Sequence, residues 1–123
     1  MRSDDLKDRT KSFAHRCVKL AMLLPDNALG KVIKYQLVKS STSLAANYRA
    51  VCVAQSKSAF VAKMSIVIEE TDETAFWLEF IVEENVFTID KVGLLLKEAQ
   101  ELTAIFIASR KTANSKSTIV NKK

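Results

Sequence analysis

Residues 36–49 read QLVKSSTSLAANYR, and they form the middle of a segment, residues 28–54, whose apolar residues recur at the spacing of an amphipathic helix. A rotation of about 100° per residue places one group of side chains on a single face: Leu29, Val32, Ile33, Gln36, Ser40, Leu44, Asn47 and Val51. Three of these residues are polar, Gln36, Ser40 and Asn47. The face therefore needs neighbouring helices that bury its apolar side chains and form hydrogen bonds with its polar side chains. The segment therefore predicts a helix inside a helical bundle.

Three further segments carry the same kind of pattern. In the first, the inward residues alternate in steps of four and three, which is typical of a helix packed against other helices: Leu6, Thr10, Phe13, Cys17, Leu20 and Leu24. The third segment places on one face Phe60, Met64, Val67, Thr71, Leu78 and Val82. The fourth does so with Val92, Leu95, Ala99, Leu102 and Phe106. Each segment predicts one amphipathic helix.

Residues that stop or cap helices give the boundaries. Pro25 ends the first helix, and Asp26 or Asn27 can cap the second. Thr88 can cap the fourth. We predict helices at about residues 4–24, 28–54, 59–84 and 89–113, followed by a basic flexible tail at residues 114–123. Because short loops join them, the helices should pack as an up-down-up-down antiparallel four-helix bundle, one all-α domain at residues 1–113.

The composition favours the same architecture. The 123 residues include only 2 Gly and 1 Pro, so the chain should form few, long elements. No apolar run approaches the roughly 18 residues that span a bilayer, and the N-terminal MRSDDLKDR lacks the apolar stretch of a signal peptide. We predict a soluble, cytoplasmic protein without membrane contact. Cys17 and Cys52 have no CxxC spacing, so we predict reduced thiols that pack as small apolar residues.

The inward polar residues need partners across the bundle. An unpaired buried amide costs about 1–3 kcal/mol, so Gln36, Ser40 and Asn47 should be hydrogen-bonded. Glu70 is the predicted partner, because it lies at the edge of the apolar face of the third helix. Two interpretations are open: a core polar network that fixes helix register, or a functional site built from Asn47 and Glu70. The network is favoured, because no nucleophile with an adjacent base, metal-ligand set or phosphate-binding loop accompanies these residues.

Other titratable residues give no sign of catalysis. His15 is the only histidine, and it lies on a flank of the first helix. Acidic residues crowd one surface of the third helix, a pattern typical of a solvated face: Glu69, Glu70, Asp72 and Glu73. They lack the Glu-x-x-His pattern of di-metal bundles. We predict no catalytic residue, no metal and no cofactor, and therefore a protein that is not an enzyme.

The charges are segregated along the chain. Residues 1–63 contain 12 Lys and Arg against 4 Asp and Glu, residues 64–109 contain 2 against 10, and residues 110–123 contain 5 against none, which gives the net charge of +5. The first two helices and the C-terminal residues are therefore basic, and the third and fourth helices are acidic. This layout can join identical subunits, basic flank against acidic flank, or it can bind phosphates, and both can hold at once.

Two surfaces follow from the outward faces of these helices. The predicted nucleic-acid-binding residues are Arg9, Arg16, Lys19, Lys31, Lys34, Lys39, Arg49, Arg110 and Lys111. No base-reading motif accompanies them, so binding should tolerate any sequence, while the outward Tyr35, next to Lys34, can stack on a base. The predicted subunit interface consists of large apolar residues among outward charges, Phe76, Phe80, Leu94 and Ile105.

Two motifs connect the chain with a known family. Residues 36–50 read QLVKSSTSLAANYRA and residues 56–81 read SKSAFVAKMSIVIEETDETAFWLEFI. Together they resemble the two-part signature of the four-helix-bundle family encoded within intervening sequences of 23S ribosomal RNA genes. The matching residues are Gln36, Ser40, Ser43, Asn47, Tyr48, Arg49, Lys63, Glu70, Glu73, Thr74, Trp77 and Leu78. Ala50 departs from the signature, in which Glu is common, so no role is carried over to this position.

Members of that family resemble the accessory variability determinant of diversity-generating retroelements, a basic homopentamer that binds nucleic acid and a reverse transcriptase. The resemblance therefore implies a homopentamer without enzymatic activity that binds DNA or RNA as an accessory protein. A second hypothesis is a protein-binding adaptor, for example for a reverse transcriptase, that does not itself bind nucleic acid. A small-molecule enzyme is the third. A gene inside a ribosomal RNA gene is a matter of location and does not imply ribosome binding.

Overall fold

The computed structural model describes residues 2–121, and it describes side chains for residues 2–115. Four helices make up this part of the chain: α1 (Ser3–Ala21), α2 (Ala28–Cys52), α3 (Lys57–Glu83) and α4 (Ile89–Asn121). Because residues 2–121 contain no strand, the predicted all-α class is confirmed. The observed helix ends lie within three residues of the predicted ones, except at the end of α4.

Side-chain caps define the start of the two central helices. The Asn27 side chain accepts a hydrogen bond from the Gly30 amide at 2.8 Å, which pairs one of the free amides in the first turn of α2. Ser56 caps α3 in the same way by accepting from the Ala59 amide at 3.0 Å. Of the two residues that could cap α2, the chain therefore uses Asn27.

The turn after α3 is closed by backbone hydrogen bonds. Asn85 has a φ of 57°, a left-handed conformation that asparagine tolerates better than most residues. The amide of Val86 donates to the Ile81 carbonyl at 3.0 Å, and the amide of Asn85 donates to the Val82 carbonyl at 3.0 Å. These two bonds form a Schellman motif. The carbonyl of Thr88 then accepts from the amides of Lys91 and Val92 in the first turn of α4, so the helix begins where the sequence predicts.

The helices form a bundle in which each packs on the next. Short connections at residues 22–27, 53–56 and 84–88 reverse the chain, so consecutive helices run antiparallel. The contact between α1 and α4 is the least extensive of the four helix contacts. Two 2.7 Å hydrogen bonds from Arg9 of α1 to the carboxylate of Glu98 of α4 join this seam. The predicted four-helix bundle is confirmed.

The core contains the inward residues predicted for α1 and α4, all of which are buried. The predicted stripe of α3 is also buried in its middle, whereas Phe60 and Val82, near the ends of the helix, are half-buried. The largest fully enclosed side chains are Phe13 of α1 and Phe106 of α4. The three- and four-residue spacing therefore predicted these faces correctly.

The buried face of α2 is rotated from the predicted one. Leu37 and Tyr48 are buried, whereas Val32 is exposed and both Gln36 and Asn47 are half-buried. Burial of a large apolar side chain contributes about 1.5–3 kcal/mol, while burial of an amide needs hydrogen-bond partners. The helix therefore turns Leu37 and Tyr48 inward, and the two amides flank the core instead of entering it.

The last helix is longer than predicted. Its backbone remains helical to Asn121, past the predicted end at residue 113. No Gly or Pro, the residues that most disfavour a helix, occurs from Arg110 onward, where the sequence reads RKTANSKSTIVNKK. The polar side chains of this segment do not by themselves interrupt the helix. The predicted tail at residues 114–123 therefore begins as helix, and its flexibility stays a prediction. Lys122 and Lys123 lie outside the described residues.

Neither thiol is paired. Cys17 is buried in the core, and this burial raises the pKa of its thiol to about 12, so the protonated, unreactive form prevails at neutral pH. Cys52 is free and half-buried at the end of α2. None of the helices in residues 2–121 is long and apolar enough to cross a bilayer.

Candidate nucleic-acid interface

A groove of ≈ 650 Å³ lies between α1 and α2, and we call it the α1–α2 groove. Small apolar side chains line part of it: Ala14 and Val18 of α1, and Ala45 and Ala46 of α2. The polar residues that line it are Lys7, Asp8, Lys11, His15, Thr42 and Arg49. Among the residues for which side chains are described, the basic ones that line the groove outnumber its one carboxylate, so the groove presents a positive potential to the solvent.

The outer side of α2 extends this positive surface. Lys31, Lys39 and Arg49 lie on the side away from the buried face, Lys34 lies at the edge of that face, and we call the four residues the α2 basic stripe. All are exposed except Lys34, which is half-buried. At 1.5 Å per residue the stripe covers about 27 Å of helix. Lys31 pairs with Asp26 at 3.5 Å, but both side chains are exposed, so this pair contributes little and leaves Lys31 available.

Arg9, predicted to contact nucleic acid, is part of the fold. Its guanidinium donates two 2.7 Å hydrogen bonds to the Glu98 carboxylate, and Glu101 lies 3.8 Å away. The hydrogen bonds to Arg9 lower the pKa of Glu98, and the same bonds raise the pKa of Arg9. Because this bidentate pair holds α1 against α4, we remove Arg9 from the candidate interface.

The other predicted cations are divided among several surfaces. Arg16 contributes to the lowered pKa of Glu98, so it lies near the seam between α1 and α4. Arg110 donates to the Ser65 hydroxyl at 3.1 Å and thereby joins α4 to α3. Lys19 and Lys111 are exposed on α1 and α4. The structure thus brings only the α2 basic stripe together with the α1–α2 groove.

Three residues of the groove were not among the predicted contacts. Lys7, Lys11 and His15 recur at four-residue steps along one flank of α1. That spacing is visible in the sequence and could have grouped them. Their proximity to Arg49 could not be predicted, because it depends on which flank of α1 packs beside α2.

A second hollow, of ≈ 430 Å³, lies at the N-terminal half of α2, and we call it the Tyr35 hollow. It is lined by the apolar groups of Met22, Tyr35 and Val38 and by the lysines Lys31, Lys34 and Lys39. The Tyr35 side chain is 63% exposed, and the ammonium of Lys39 lies 5.9 Å from the ring centroid. An aromatic ring therefore lies largely exposed within the basic stripe, with the Lys39 ammonium over one of its faces.

The predicted core polar network exists only in part. Ser40 is fully buried, and its hydroxyl accepts a 2.8 Å hydrogen bond from Thr74 of α3. Asn47 instead donates to the carbonyl and hydroxyl of Ser43, in its own helix, at 2.9 and 3.1 Å. Within residues 2–115, Gln36 makes no side-chain hydrogen bond. The predicted pairing of Gln36 and Asn47 with Glu70 is therefore corrected. The rotation of α2 places the Ser40 hydroxyl, and not these two amides, against α3.

Glu70 and Trp77 carry unsatisfied polar atoms. Glu70 Oε2 and Trp77 Nε1 are buried, and neither has a hydrogen-bond partner among the described residues. Desolvation and the neighbouring Glu73 raise the pKa of Glu70, while Lys39 opposes this shift. Glu70 and Trp77 both line a hollow whose other lining residues are Glu69, Asp72, Glu73 and Phe76. Within residues 2–115, no three His, Cys, Asp or Glu side chains form a set that could hold a metal ion.

The predicted subunit interface is exposed at two of its four residues. Phe76 is 50% exposed on α3, and Leu94 is 75% exposed on α4. Phe80 and Ile105 are half-buried and pack against the core. Phe76 and Phe80 stack with ring centroids 5.8 Å apart, and Trp77 meets both edge-on. The outer side of α3 therefore presents an aromatic cluster surrounded by acidic residues.

Comparison with known proteins identifies the family. The model of the 23S rRNA-intervening sequence protein family matches residues 4–108. The fold is similar to a crystal structure of a protein of unknown function from the S23 ribosomal protein family of Bacteroides thetaiotaomicron, with a TM-score of 0.82 and 30% sequence identity. That alignment covers 90% of this chain and 99% of the other. No curated protein matches the chain. The chain belongs to the 23S rRNA-intervening sequence protein family.

Proposed function

We propose that this protein is a non-enzymatic, oligomeric accessory protein that binds DNA or RNA without sequence preference. The observation that carries the proposal is the continuity of the α2 basic stripe with the α1–α2 groove. A surface of this kind supplies cations over about 27 Å, enough to follow several phosphates of one strand. Asp8 is the one carboxylate among the described residues that line the groove, so little negative charge opposes a phosphate there.

Binding of this kind is driven by phosphates. Lysine and arginine replace the counterions of the nucleic acid, so the affinity falls with salt at a log-log slope of about −0.7 to −0.9 per contacted phosphate. An oligomer repeats the surface on every subunit. When several subunits bind one nucleic acid at the same time, the overall affinity rises, although each subunit makes only the contacts that it would make alone. A mild net charge of +5 is therefore sufficient when the cations are grouped and repeated.

A charge reversal of the stripe tests the proposal. The variant with Lys31, Lys34 and Arg49 all replaced by Glu should bind generic DNA and RNA at least about tenfold more weakly than the wild type, because three phosphate contacts become repulsive. Fluorescence anisotropy at low and moderate salt measures the difference. Circular dichroism should be unchanged, since the three residues lie outside the core. The affinities are compared at the same oligomeric state, which light scattering checks for the variant and the wild type.

The matched control reverses the same number of charges elsewhere. Lys57 and Lys63 of α3 and Lys97 of α4 are exposed and lie outside the candidate interface. Their combined replacement by Glu changes the net charge by the same amount, and nucleic-acid binding should weaken far less. Equal weakening by the two triple variants would show that only net charge matters. No binding by the wild type at tens of micromolar, on the order of non-specific affinities, would refute the proposal.

The second part of the proposal is self-association, as a homopentamer according to the family resemblance. Its support is the exposure of Phe76 and Leu94, two large apolar side chains on charged helices. The acidic residues around Phe76 disfavour a contact of this surface with itself, because identical charges would face each other. A basic flank of a neighbouring copy satisfies them instead, and a head-to-tail contact of this kind forms a ring when the rotation between copies closes.

Light scattering tests self-association. The wild type should have a mass several times that of the 13.7 kDa chain, and combined replacement of Phe76 and Leu94 by Asp should reduce it to the monomer. The control is Val53→Asp, because the Val53 side chain is 72% exposed, about as much as that of Leu94, but lies outside the predicted interface. A monomeric wild type at micromolar concentration would contradict the proposal, and dissociation by Val53→Asp would contradict the assigned surface.

A second candidate function is a protein-binding adaptor, with a reverse transcriptase as the partner implied by the resemblance. The unsatisfied Glu70 Oε2 and Trp77 Nε1 favour it, because buried polar atoms without partners are costly and a docked chain can pair them. The acidic residues of that hollow suit a basic segment of the partner. The adaptor takes precedence if the wild type binds no nucleic acid and Glu70→Ala abolishes capture of the co-expressed reverse transcriptase.

A further inference from the structure

The Tyr35 hollow combines features that phosphate binding alone does not require. Lysines suffice to follow a nucleic-acid backbone, yet this hollow also contains the apolar groups of Met22, Tyr35 and Val38. The Tyr35 ring is 63% exposed, although burial of an aromatic ring would stabilise the fold. An exposed ring beside an apolar recess is the kind of surface on which a flat, partly apolar group can dock.

The charges around the hollow define the chemistry of that group. Lys31, Lys34 and Lys39 line the recess, so its occupant is apolar at the centre and anionic at its edge. A nucleotide has this composition, with a planar base joined through the sugar to a phosphate. Aromatic side chains bind bases of any sequence by stacking, because every base has a π face. The hollow of ≈ 430 Å³ has room for one base.

We propose that this surface binds single-stranded nucleic acid, with an unpaired base stacked on Tyr35 and the adjoining phosphates held by Lys31, Lys34 and Lys39. This inference rests on the proposed function and adds the class of nucleic acid. A duplex keeps its bases stacked inside, so it can offer phosphates to the lysines but no base to the ring. The strand then continues along the α2 basic stripe toward Arg49 and the α1–α2 groove.

The test compares three ligands of equal length: a single-stranded oligonucleotide, its duplex, and an abasic strand that keeps the phosphates but lacks the bases. The single strand should bind tightest at moderate salt. Y35A should weaken binding of the single strand about 5- to 150-fold, the range that one stacked base provides. Binding of the duplex and of the abasic strand should not change with Y35A. Y35F retains the ring and should bind the single strand like the wild type.

The outcomes separate this inference from the proposed function. If the duplex binds as tightly as the single strand, or if Y35A binds the single strand like the wild type, then stacking at Tyr35 is wrong and phosphate-driven binding still stands. If no ligand binds, both proposals fail. Because Tyr35 is exposed, Y35A should keep the thermal stability of the wild type, and a direct readout is available from a fluorescent base analogue, whose emission should be quenched by the wild type and not by Y35A.

Discussion

Replacement of Phe106 by alanine should lower the free energy of unfolding by about 3–5 kcal/mol. Phe106 of α4 is fully buried, and its ring lies 5.4 Å from that of Tyr48 of α2, centroid to centroid. The variant loses the free energy gained by burying the ring, and it also loses the aromatic contact between α2 and α4. The cavity that remains costs further packing energy around it. Chemical denaturation, followed by circular dichroism, measures the loss.

The neighbouring residue provides the control for this variant. Ile107 is 43% exposed and lies on the same turn of α4. Ile107→Ala should cost no more than about 1 kcal/mol, because little apolar area is lost and water fills the space. Similar losses for Phe106→Ala and Ile107→Ala would show that α4 does not pack as described.

Replacement of Gly30 by alanine should cost about 1–3 kcal/mol, even though alanine is the better helix former. A Cβ at this position would overlap the carbonyl oxygen of Pro25 and lie 2.9 Å from its carbonyl carbon. The turn between α1 and α2 must then move, and with it the Asn27 cap, which accepts from the Gly30 amide. The midpoint of thermal unfolding measures the effect.

Gly93 of α4 is the matched control, because it is the other glycine and is also helical. A Cβ there would lie 3.6 and 3.7 Å from the Ile89 side chain, which is ordinary contact. Gly93→Ala should therefore stabilise the protein by about 0.5–1 kcal/mol through helix propensity. Stabilisation by both substitutions would mean that the turn at Pro25 is not held as close to α2 as described.

The helices could be predicted because their signals are local. Pro25 and Asn27 act on their own turns, and the spacing of apolar residues reports the burial of one face of each helix. The prediction failed for the buried face of α2. Leu37 and Tyr48 are buried there, while the predicted Gln36 and Asn47 are not. Burial of the two apolar side chains stabilises the fold more than burial of the two amides would.

The candidate interface could be predicted only in part. The outward positions of Lys31, Lys39 and Arg49 follow from the helix period. The residues that neighbour each cation cannot be predicted from the helix period. Arg9, for example, is paired with Glu98 of α4, which is distant from it in the sequence. The same holds for Tyr35, whose hollow exists because Met22, just after α1, comes beside it.

The sequence by itself determined the number of helices, their ends near the capped turns and the segregation of positive and negative charge. Each of these depends on residues a few positions apart, so the local order of side chains is sufficient. Only the tertiary structure decided which cations are engaged within the fold and which remain exposed on its surface. The physical reason is that the pairing of Arg9 with Glu98, or of Arg110 with Ser65, depends on which helix flanks meet. The packing of large buried side chains sets that arrangement, not the charges themselves.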